Sequence, residues 1–280
     1  MLVVNDSKVL NAKLVGRKKT GGMVELLVLK ADGLEGMCLI RGRKLKAGTE
    51  IEIGEDIRCI VTEKLQNGFK VKFNENTNVV MERYGEAPLP HYIKKHLPQP
   101  ERYQTVYAKH MGSVAAPTAG LHFTEKLLKE IEKKGVNIAR LTLHIGPSTF
   151  LPIREGTSNG DDLPPERFSI DKKNARIINK GIQEDSLIAV GTSTVKALES
   201  ASQGDRIVPG EGLSELFISP GYKFKIPLKG LITNFHLPRS SLLLLVCALF
   251  GRERMLEAYG EAVSRGYRFY SFGDAMFIMR

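Results

Sequence analysis

The sequence pattern changes near residues 80–90, and this change constrains the fold more than any other feature. Before it, short segments alternate apolar and polar residues and are separated by glycine-containing turns, as in Glu50–Ile53 and Lys70–Phe73. Such alternation is typical of half-buried strands, and many short strands joined by glycine turns indicate a small barrel or sandwich. The predicted strands are Leu2–Asn5, Lys13–Arg17, Val24–Lys30, Met37–Arg41, Glu50–Ile53, Arg58–Thr62 and Lys70–Phe73.

After about residue 105, predicted strands alternate with predicted helices, which is typical of an α/β domain. The strands are Val136–His144, Ser186–Val190, Gly230–Phe235 and Ala275–Met279. The helices are Thr124–Lys134, Asp171–Gln183, Thr192–Ser202, Ser240–Phe250 and Glu253–Arg265. We therefore expect an α/β domain, with a mixed sheet and flanking helices, formed by residues 1–7 and 83–280. A small all-β, barrel-like domain takes residues 8–82.

Composition excludes several classes of protein. The three cysteines (Cys38, Cys59 and Cys247) are far apart, which argues against a disulfide scaffold or a structural zinc site. The longest apolar run, Leu242–Phe250, is much shorter than the roughly 20 residues of a membrane span. With no signal-peptide pattern, these features predict a cytoplasmic protein without a bound metal. The Walker A, GxGxxG, GxSxG and HExxH signatures are absent from the sequence.

The formal net charge of +10 suggests a polyanionic partner. Lysine and arginine cluster at several places, and we predict that some of these side chains contact the phosphates of a nucleic acid. The alternative is an ordinary solvated surface. The candidates are Arg17, Lys18, Lys19, Arg43, Lys94 and Lys95.

Two loops combine small or polar residues with a histidine. The segment 112–124 is rich in glycine and alanine and places His122 just before a predicted helix, where free N–H groups favour an anion. The segment 233–241 places His236 between a strand and a helix. Histidine titrates near neutral pH and suits proton transfer, although a capping or structural role is the alternative for each.

Two further segments have the composition of a ligand site. At 189–194 a buried strand runs into Gly191, Thr192, Ser193 and Thr194 at a helix start, where ligands bind in open α/β sheets. The alternative is simple N-capping by Thr192. At 267–276 several aromatic residues accompany Asp274, and these rings either stack on a base or pack in the core.

Long motifs throughout the chain resemble the S-adenosylmethionine:tRNA ribosyltransferase-isomerase family. They are NDSKV (5–9), RKKTGG (17–22), YQTVYA (103–108), GSVAAPTAGLHFT (112–124), LTLHIGPSTF (141–150), PGYKFK (220–225), GLITNFHLPRSSLL (230–243) and YRFYSFGDAM (267–276). The resemblance implies an α/β domain with a small β-barrel. It also implies transfer and isomerisation of the ribosyl part of S-adenosylmethionine onto 7-aminomethyl-7-deazaguanine at the tRNA wobble position. The product is epoxyqueuosine-tRNA, and adenine and methionine leave.

The same resemblance suggests roles for particular residues. Its chemistry needs a base beside the sulfonium and an acid or strong donor for the departing adenine, and the catalytic candidates are His122, His236 and Asp274. The methionine carboxylate is expected on the Gly191–Thr194 turn. Other substrate contacts are expected from Tyr103, Tyr107, Thr118, Gly120, Phe123 and Asn234. The resemblance implies S-adenosylmethionine as cosubstrate without a further cofactor, and we expect a monomer.

The sequence also departs from the family pattern. Family members begin several tens of residues earlier, so that Leu2–Val4 is expected to be a strand that has lost its upstream neighbours. The stretch 163–166 lacks the family's histidine, and Lys8 and Lys196 stand where the family tends to use arginine. These departures favour an alternative: a non-catalytic tRNA- or nucleoside-binding relative, inactive through N-terminal truncation. A methyltransferase is a weaker alternative, because its usual glycine-rich loop is missing.

Overall fold

The computed structural model describes residues 1–90, 92–93, 99–146 and 165–280. The chain forms two compact units, one of Val9–Pro100 and one of Met1–Lys8 with Glu101–Arg280. The first contains a closed barrel and the second a mixed sheet with flanking helices, which confirms the predicted fold class. The expected domain division between residues 82 and 83 stays a prediction.

The barrel strands follow one another in the sequence, whereas most strands of the larger sheet come after them. The strands are β1 (Leu2–Asn5), β2 (Ser7–Val9), β3 (Lys13–Lys18), β4 (Met23–Asp32), β5 (Glu35–Arg41), β6 (Glu50–Ile53), β7 (Ile57–Leu65), β8 (Gly68–Phe73), β9 (His110–Ser113), β10 (Ile138–Leu143), β11 (Glu166–Ile170), β12 (Ile188–Val190), β13 (Ser202–Gln203), β14 (Arg206–Ile207), β15 (Gly210–Ser214), β16 (Gly230–Asn234) and β17 (Ala275–Met279). The helices are α1 (Thr77–Tyr84), α2 (Glu125–Lys133), α3 (Lys172–Gln183), α4 (Thr192–Ser200), α5 (Ser241–Phe250) and α6 (Arg252–Ser264). None of these helices is long and apolar enough to cross a membrane.

The barrel closes in the order β3-β4-β5-β8-β7-β6, with every pair antiparallel. Its alternating sequence explains its core: in β6, Ile51 and Ile53 point inward and are buried, while Glu52 is exposed. Closure leaves no unpaired sheet edge. Register shifts in β4 and β7 add the local irregularity that curved strands commonly use.

The larger sheet has the order β15-β11-β10-β1-β12-β16-β17. The four central strands β10, β1, β12 and β16 are parallel, while β11, β15 and β17 run antiparallel to their neighbours. Strand β1 is fully buried and paired along both edges, for example through Val3 with Ala139 and Ala189. Both partner strands come later in the chain, and the expectation about upstream neighbours stays a prediction.

Helix caps follow the sequence signals closely. Thr124, Asp171 and Ser240 cap α2, α3 and α5, each side chain accepting a hydrogen bond from a backbone N–H of the first turn. Such caps satisfy donors that the helix itself leaves free. The helix α1 was not predicted from the sequence, nor were the strands β9, β11 and β15. Asn76 caps α1 through Asn78, but the surrounding strand pattern concealed this signal.

Candidate functional site

A pocket opens in the α/β unit beside the carboxyl ends of its central parallel strands. Gly191 follows β12 and Asn234 ends β16, and both line the pocket. This edge is where open α/β sheets bind ligands. The space between its lining residues is about 780 Å³ when the adjoining open solvent is included. The predicted site residues that line it are Thr118, Gly191, Thr192, Ser193, Asn234 and His236.

His122 is not among the residues that line the pocket, but it forms a chain of hydrogen bonds with Asn234 and Thr118, which are. The ring Nε2 of His122 lies 2.8 Å from Oδ1 of Asn234, and Nδ2 of Asn234 donates to Oγ1 of Thr118 at 2.8 Å. Because an amide oxygen only accepts, this arrangement requires the proton on Nε2 of His122. The neutral imidazole then carries its lone pair on Nδ1, which makes that atom a potential base.

His236 is held from two sides. Its Nε2 lies 2.9 Å from Oγ1 of Thr233, and its backbone N–H donates to the hydroxyl of Tyr259 at 2.9 Å. The residue is buried, and burial lowers the pKa of its imidazole to about 4. His236 is consequently neutral at pH 7 and offers the pocket an uncharged ring.

Asp274 does not line the pocket. Its Oδ1 accepts from Nη2 of Arg268 at 2.6 Å, and its Oδ2 accepts from the Arg268 backbone N–H at 2.8 Å. These bonds hold the pKa of the Asp274 carboxyl below its usual range, and the nearby His122 lowers it further. Asp274 is therefore a carboxylate at neutral pH, committed to Arg268 and electrostatically coupled to His122.

The turn before α4 has glycine because its backbone requires it. Gly191 has φ +88°, a conformation that side chains with a Cβ rarely adopt, and it forms the N-cap without a side-chain hydrogen bond. The alternative of N-capping by Thr192 is therefore wrong, since Thr192 is the first helical residue. Ser193 lines the pocket, whereas Thr194 donates its hydroxyl to the carbonyl of Val190 at 2.6 Å.

The three aromatic candidates are packed within the protein. Tyr103 is buried with its ring 6.1 Å from that of Phe272, and Phe123 is buried in a small apolar cluster. Tyr107 is partly buried, and burial raises the pKa of its phenol. Its hydroxyl lies so close to Gly120 that any side chain at position 120 would collide with it. None of these three rings is among the residues that line the pocket.

The basic candidates on the barrel lie close together. Lys18 donates from Nζ to the carbonyl of Arg43 at 2.8 Å, which brings these two parts of the sequence to one place. Arg17 is adjacent along β3. Lys19 forms an ion pair with Glu50 at 2.5 Å, so part of its charge is compensated. Lys94 and Lys95 lie outside the described residues. So do residues 163 and 164 of the stretch 163–166, which lacks the family's histidine.

Asn5 was not predicted as a site residue, yet its side chain links three elements of the α/β unit. Its Nδ2 donates to the carbonyl of Leu143 at 3.0 Å and to Oγ of Ser193 at 3.1 Å. Its Oδ1 accepts from the backbone N–H groups of Ser7 and Leu143. The amide thus ties β1 and β10 to the start of α4, and its place in the NDSKV motif was the available signal.

Two charged residues of the pocket wall were also missed as a pair. Glu166 at the start of β11 and Lys196 in α4 both line the pocket, and Oε2 of Glu166 lies 2.5 Å from Nζ of Lys196. They are distant in sequence, so no local pattern indicated that they pair. Only the sheet topology brings them together.

The fold and pocket define an α/β protein with an inserted β-barrel and a polar ligand site at the carboxyl ends of parallel strands. A family model described as "Queuosine biosynthesis protein" matches residues 1–278. The chain belongs to this family.

Individual relatives are similar over nearly the whole chain. A protein of Pelotomaculum thermopropionicum is 46% identical over 99% of this chain and 84% of its own, and one of Thermotoga maritima is 43% identical over 100% and 84%. Both are named S-adenosylmethionine:tRNA ribosyltransferase-isomerase. A crystal structure titled S-adenosylmethionine tRNA ribosyltransferase, from Thermotoga maritima, is 32% identical with a TM-score of 0.50, covering 99% of this chain and 81% of that one.

Proposed function

We propose that this chain transfers and isomerises the ribosyl part of S-adenosylmethionine onto 7-aminomethyl-7-deazaguanine at the wobble position of tRNA. Epoxyqueuosine-tRNA is the product, and adenine and methionine leave. The relatives that carry the enzyme's name support this activity over the alternative of a non-catalytic relative. The structural observation that carries it is the hydrogen-bonded chain from His122 through Asn234 to Thr118 beside the pocket.

His122 is the proposed base. The reaction requires removal of a proton from the carbon beside the sulfonium, and the lone pair on Nδ1 of His122 is available once Asn234 fixes the proton on Nε2. Asp274 remains ionised beside Arg268 and interacts electrostatically with His122.

His236 is proposed to act as a neutral hydrogen-bonding group. The pKa of about 4 excludes a protonated ring at neutral pH, so His236 suits orientation of the sugar or base better than donation of a full proton. Thr233 and Tyr259 fix its position. The proposed acid for the departing adenine is therefore the imidazolium of His122, after it has taken the substrate proton.

The start of α4 is the proposed position of the methionine carboxylate. The N-terminal N–H groups of a helix favour an anion, and Thr192 and Ser193 line the pocket there. Thr118 and Asn234 complete the polar wall. Phe123 and Tyr107 pack in one apolar cluster with Ala119, which lines the pocket. Direct contact of Tyr103, Tyr107, Gly120 and Phe123 with substrate stays a prediction.

Adenine release tests this function directly. The purified chain is incubated with S-adenosylmethionine and tRNA that carries 7-aminomethyl-7-deazaguanine, and free adenine is measured by chromatography. The control tRNA has the same sequence with guanine at the wobble position. Release that depends on the modified base supports the enzyme. If folded protein releases no adenine with either tRNA, the proposal is wrong and the non-catalytic alternative takes its place.

Further properties are proposed with this activity. The tRNA substrate leads us to propose a cytoplasmic location, a monomer, and S-adenosylmethionine as the sole small-molecule requirement. Phosphate contacts are proposed for Arg17, Lys18, Lys19 and Arg43, and from the sequence alone for Lys94 and Lys95.

A further inference from the structure

An ion pair forms part of the pocket wall in the α/β unit. Nζ of Lys196 lies 2.5 Å from Oε2 of Glu166, whose side chain is 5% exposed, while that of Lys196 is 20% exposed. The second carboxylate oxygen of Glu166 accepts the backbone N–H of Gly146 at 2.9 Å. Both charges thus lie at the pocket surface in largely desolvated positions, fixed by β11 and α4.

Placing a desolvated ion pair in a pocket wall costs free energy of folding. Removing two charges from water costs free energy for each ion, and apolar residues of similar volume often stabilise a fold better. The neighbouring wall is already apolar, with Leu216, Ile218 and Leu245 lining the same pocket. A role in ligand recognition accounts for the pair where stability alone does not.

The bonding capacity of the pair matches a particular ligand chemistry. The ammonium of Lys196 has three N–H donors and the carboxylate of Glu166 has about four acceptor positions, so their mutual contact leaves capacity on both. Together they present one positive and one negative group with no net charge. The complementary ligand has an adjacent carboxylate and ammonium, which is the form of a free α-amino acid end.

We infer that Glu166 and Lys196 together recognise the amino-acid end of S-adenosylmethionine, Lys196 binding its carboxylate and Glu166 its ammonium. This inference rests on the proposed function and deepens it. It extends the proposed carboxylate site at the start of α4, because Lys196 lies one turn further along that helix and faces the same pocket. The pair therefore sets specificity for the cosubstrate and leaves the ribosyl chemistry to other residues.

A crossed substrate experiment tests the assignment of each charge. Adenine release with the modified tRNA is measured for S-adenosylmethionine, for its decarboxylated analogue and for the analogue that lacks the α-amino group. Wild-type protein is compared with K196M and E166Q. A charged hydrogen bond is worth roughly 10- to 100-fold, so kcat/KM of wild type should fall by about this factor for each analogue.

Each variant should lose the preference for S-adenosylmethionine over one analogue and keep the preference over the other. K196M should prefer S-adenosylmethionine over the decarboxylated analogue by less than about threefold, while retaining its preference over the deaminated one; E166Q should show the converse. K196R should retain the preference for S-adenosylmethionine over the decarboxylated analogue, because it keeps the positive charge. K180M is the matched control, since Lys180 forms an exposed ion pair with Glu184 on α3.

The outcomes separate this inference from the proposed function. If wild type releases adenine but both variants lose activity equally for all three substrates, the pair is structural and the inference is overturned. The same conclusion follows if discrimination is unchanged. If either single variant fails to fold, the E166Q/K196M double variant removes the uncompensated charge and should lose both preferences. Absence of any wild-type activity would overturn the proposed function as well.

Discussion

The two units of this protein differ most in what they bury. Among the described residues, the barrel unit buries one polar side chain, that of Thr77, within an otherwise apolar set. The α/β unit buries many polar side chains, including Asn5, Glu166, Glu199 and His236. Most of these have hydrogen-bond partners, as buried polar groups require.

This difference separates a structural unit from a unit that contains a ligand site. An apolar barrel core gives stability from burial alone, whereas a buried polar group costs free energy unless it is fully bonded. In the α/β unit, several such buried polar groups lie around one pocket. In the barrel the functional candidates are charged side chains of the surface instead: Arg17, Lys19 and Arg43 are exposed and Lys18 is half-buried.

The largest expected effect is on catalysis within the α/β unit. His122→Ala should lower kcat for adenine release by roughly 10²- to 10⁴-fold, because it removes the proposed base. His110→Ala is the matched control, as His110 is an exposed histidine of β9 outside the pocket wall, and its activity should stay near wild type. Normal turnover of the His122 variant would remove this residue from the mechanism.

The next effect is on the stability of the barrel. Leu26 is completely buried, and Leu26→Ala should lower the free energy of unfolding by about 2–5 kcal/mol through lost burial and a residual cavity. Urea unfolding of purified protein measures this change. Met23→Ala, an exposed position on the same strand, provides the control and should change stability by less than about 0.5 kcal/mol. Equal effects at the two positions would contradict the barrel core described above.

A pH effect of similar size should come from the α/β unit. The pKa of His236 is about 4 in the fold, against about 6.5 when unfolded, so the unfolded chain binds a proton between these values while the native one does not. Stability should therefore fall as pH drops below 6.5, by roughly 3 kcal/mol near pH 4 from this residue. His236→Gln should show a correspondingly weaker loss of stability between pH 7 and pH 4 in urea unfolding. Parallel pH curves for the two proteins would show that His236 does not titrate as its burial requires.

The smallest effect is expected at the barrel surface. The double variant R17A/K18A should weaken tRNA binding severalfold and flatten the dependence of log affinity on log salt by up to about 1.5, as lost phosphate contacts do. Filter binding at several salt concentrations measures both quantities, with K173A/K180A on α3 as the control, because it also removes two exposed positive charges. Unchanged affinity and slope would assign these side chains to the ordinary solvated surface instead.

Much of the fold could be predicted because short sequence patterns indicate its strands and its helix starts. Strand alternation located the barrel strands to within a few residues, as for β6, and cap residues such as Thr124 and Ser240 marked helix starts. Strands without such a pattern were not found, and β15, with the sequence GEGLS, is an example. Its structure depends on pairing with β11, a partner that local sequence does not reveal.

The site residues that could be predicted from the sequence are those that lie together within a single loop. The turn at Gly191 and the loop histidines were found because each lies at a strand end with distinctive composition. The contacts of Asn5 with Ser193 and of Glu166 with Lys196 join distant segments, so no window of sequence contains both partners. Glu199 illustrates the same limit: it is buried and accepts hydrogen bonds from Tyr222, Lys225 and Ile226, and all three donors lie more than twenty residues further along the chain.

The pairing of β1 has a consequence for the order of folding. Leu2 lies beside Ile138 and Ile188, so this central strand can pair only with segments far along the chain. The barrel strands instead pair mainly with near neighbours, as Arg17 does with Met23. Contacts between distant segments form slowly, because the intervening chain must first be ordered. During synthesis, the barrel can close while β1 is still without partners. The ligand pocket then assembles late, when β12 and β16 complete the sheet.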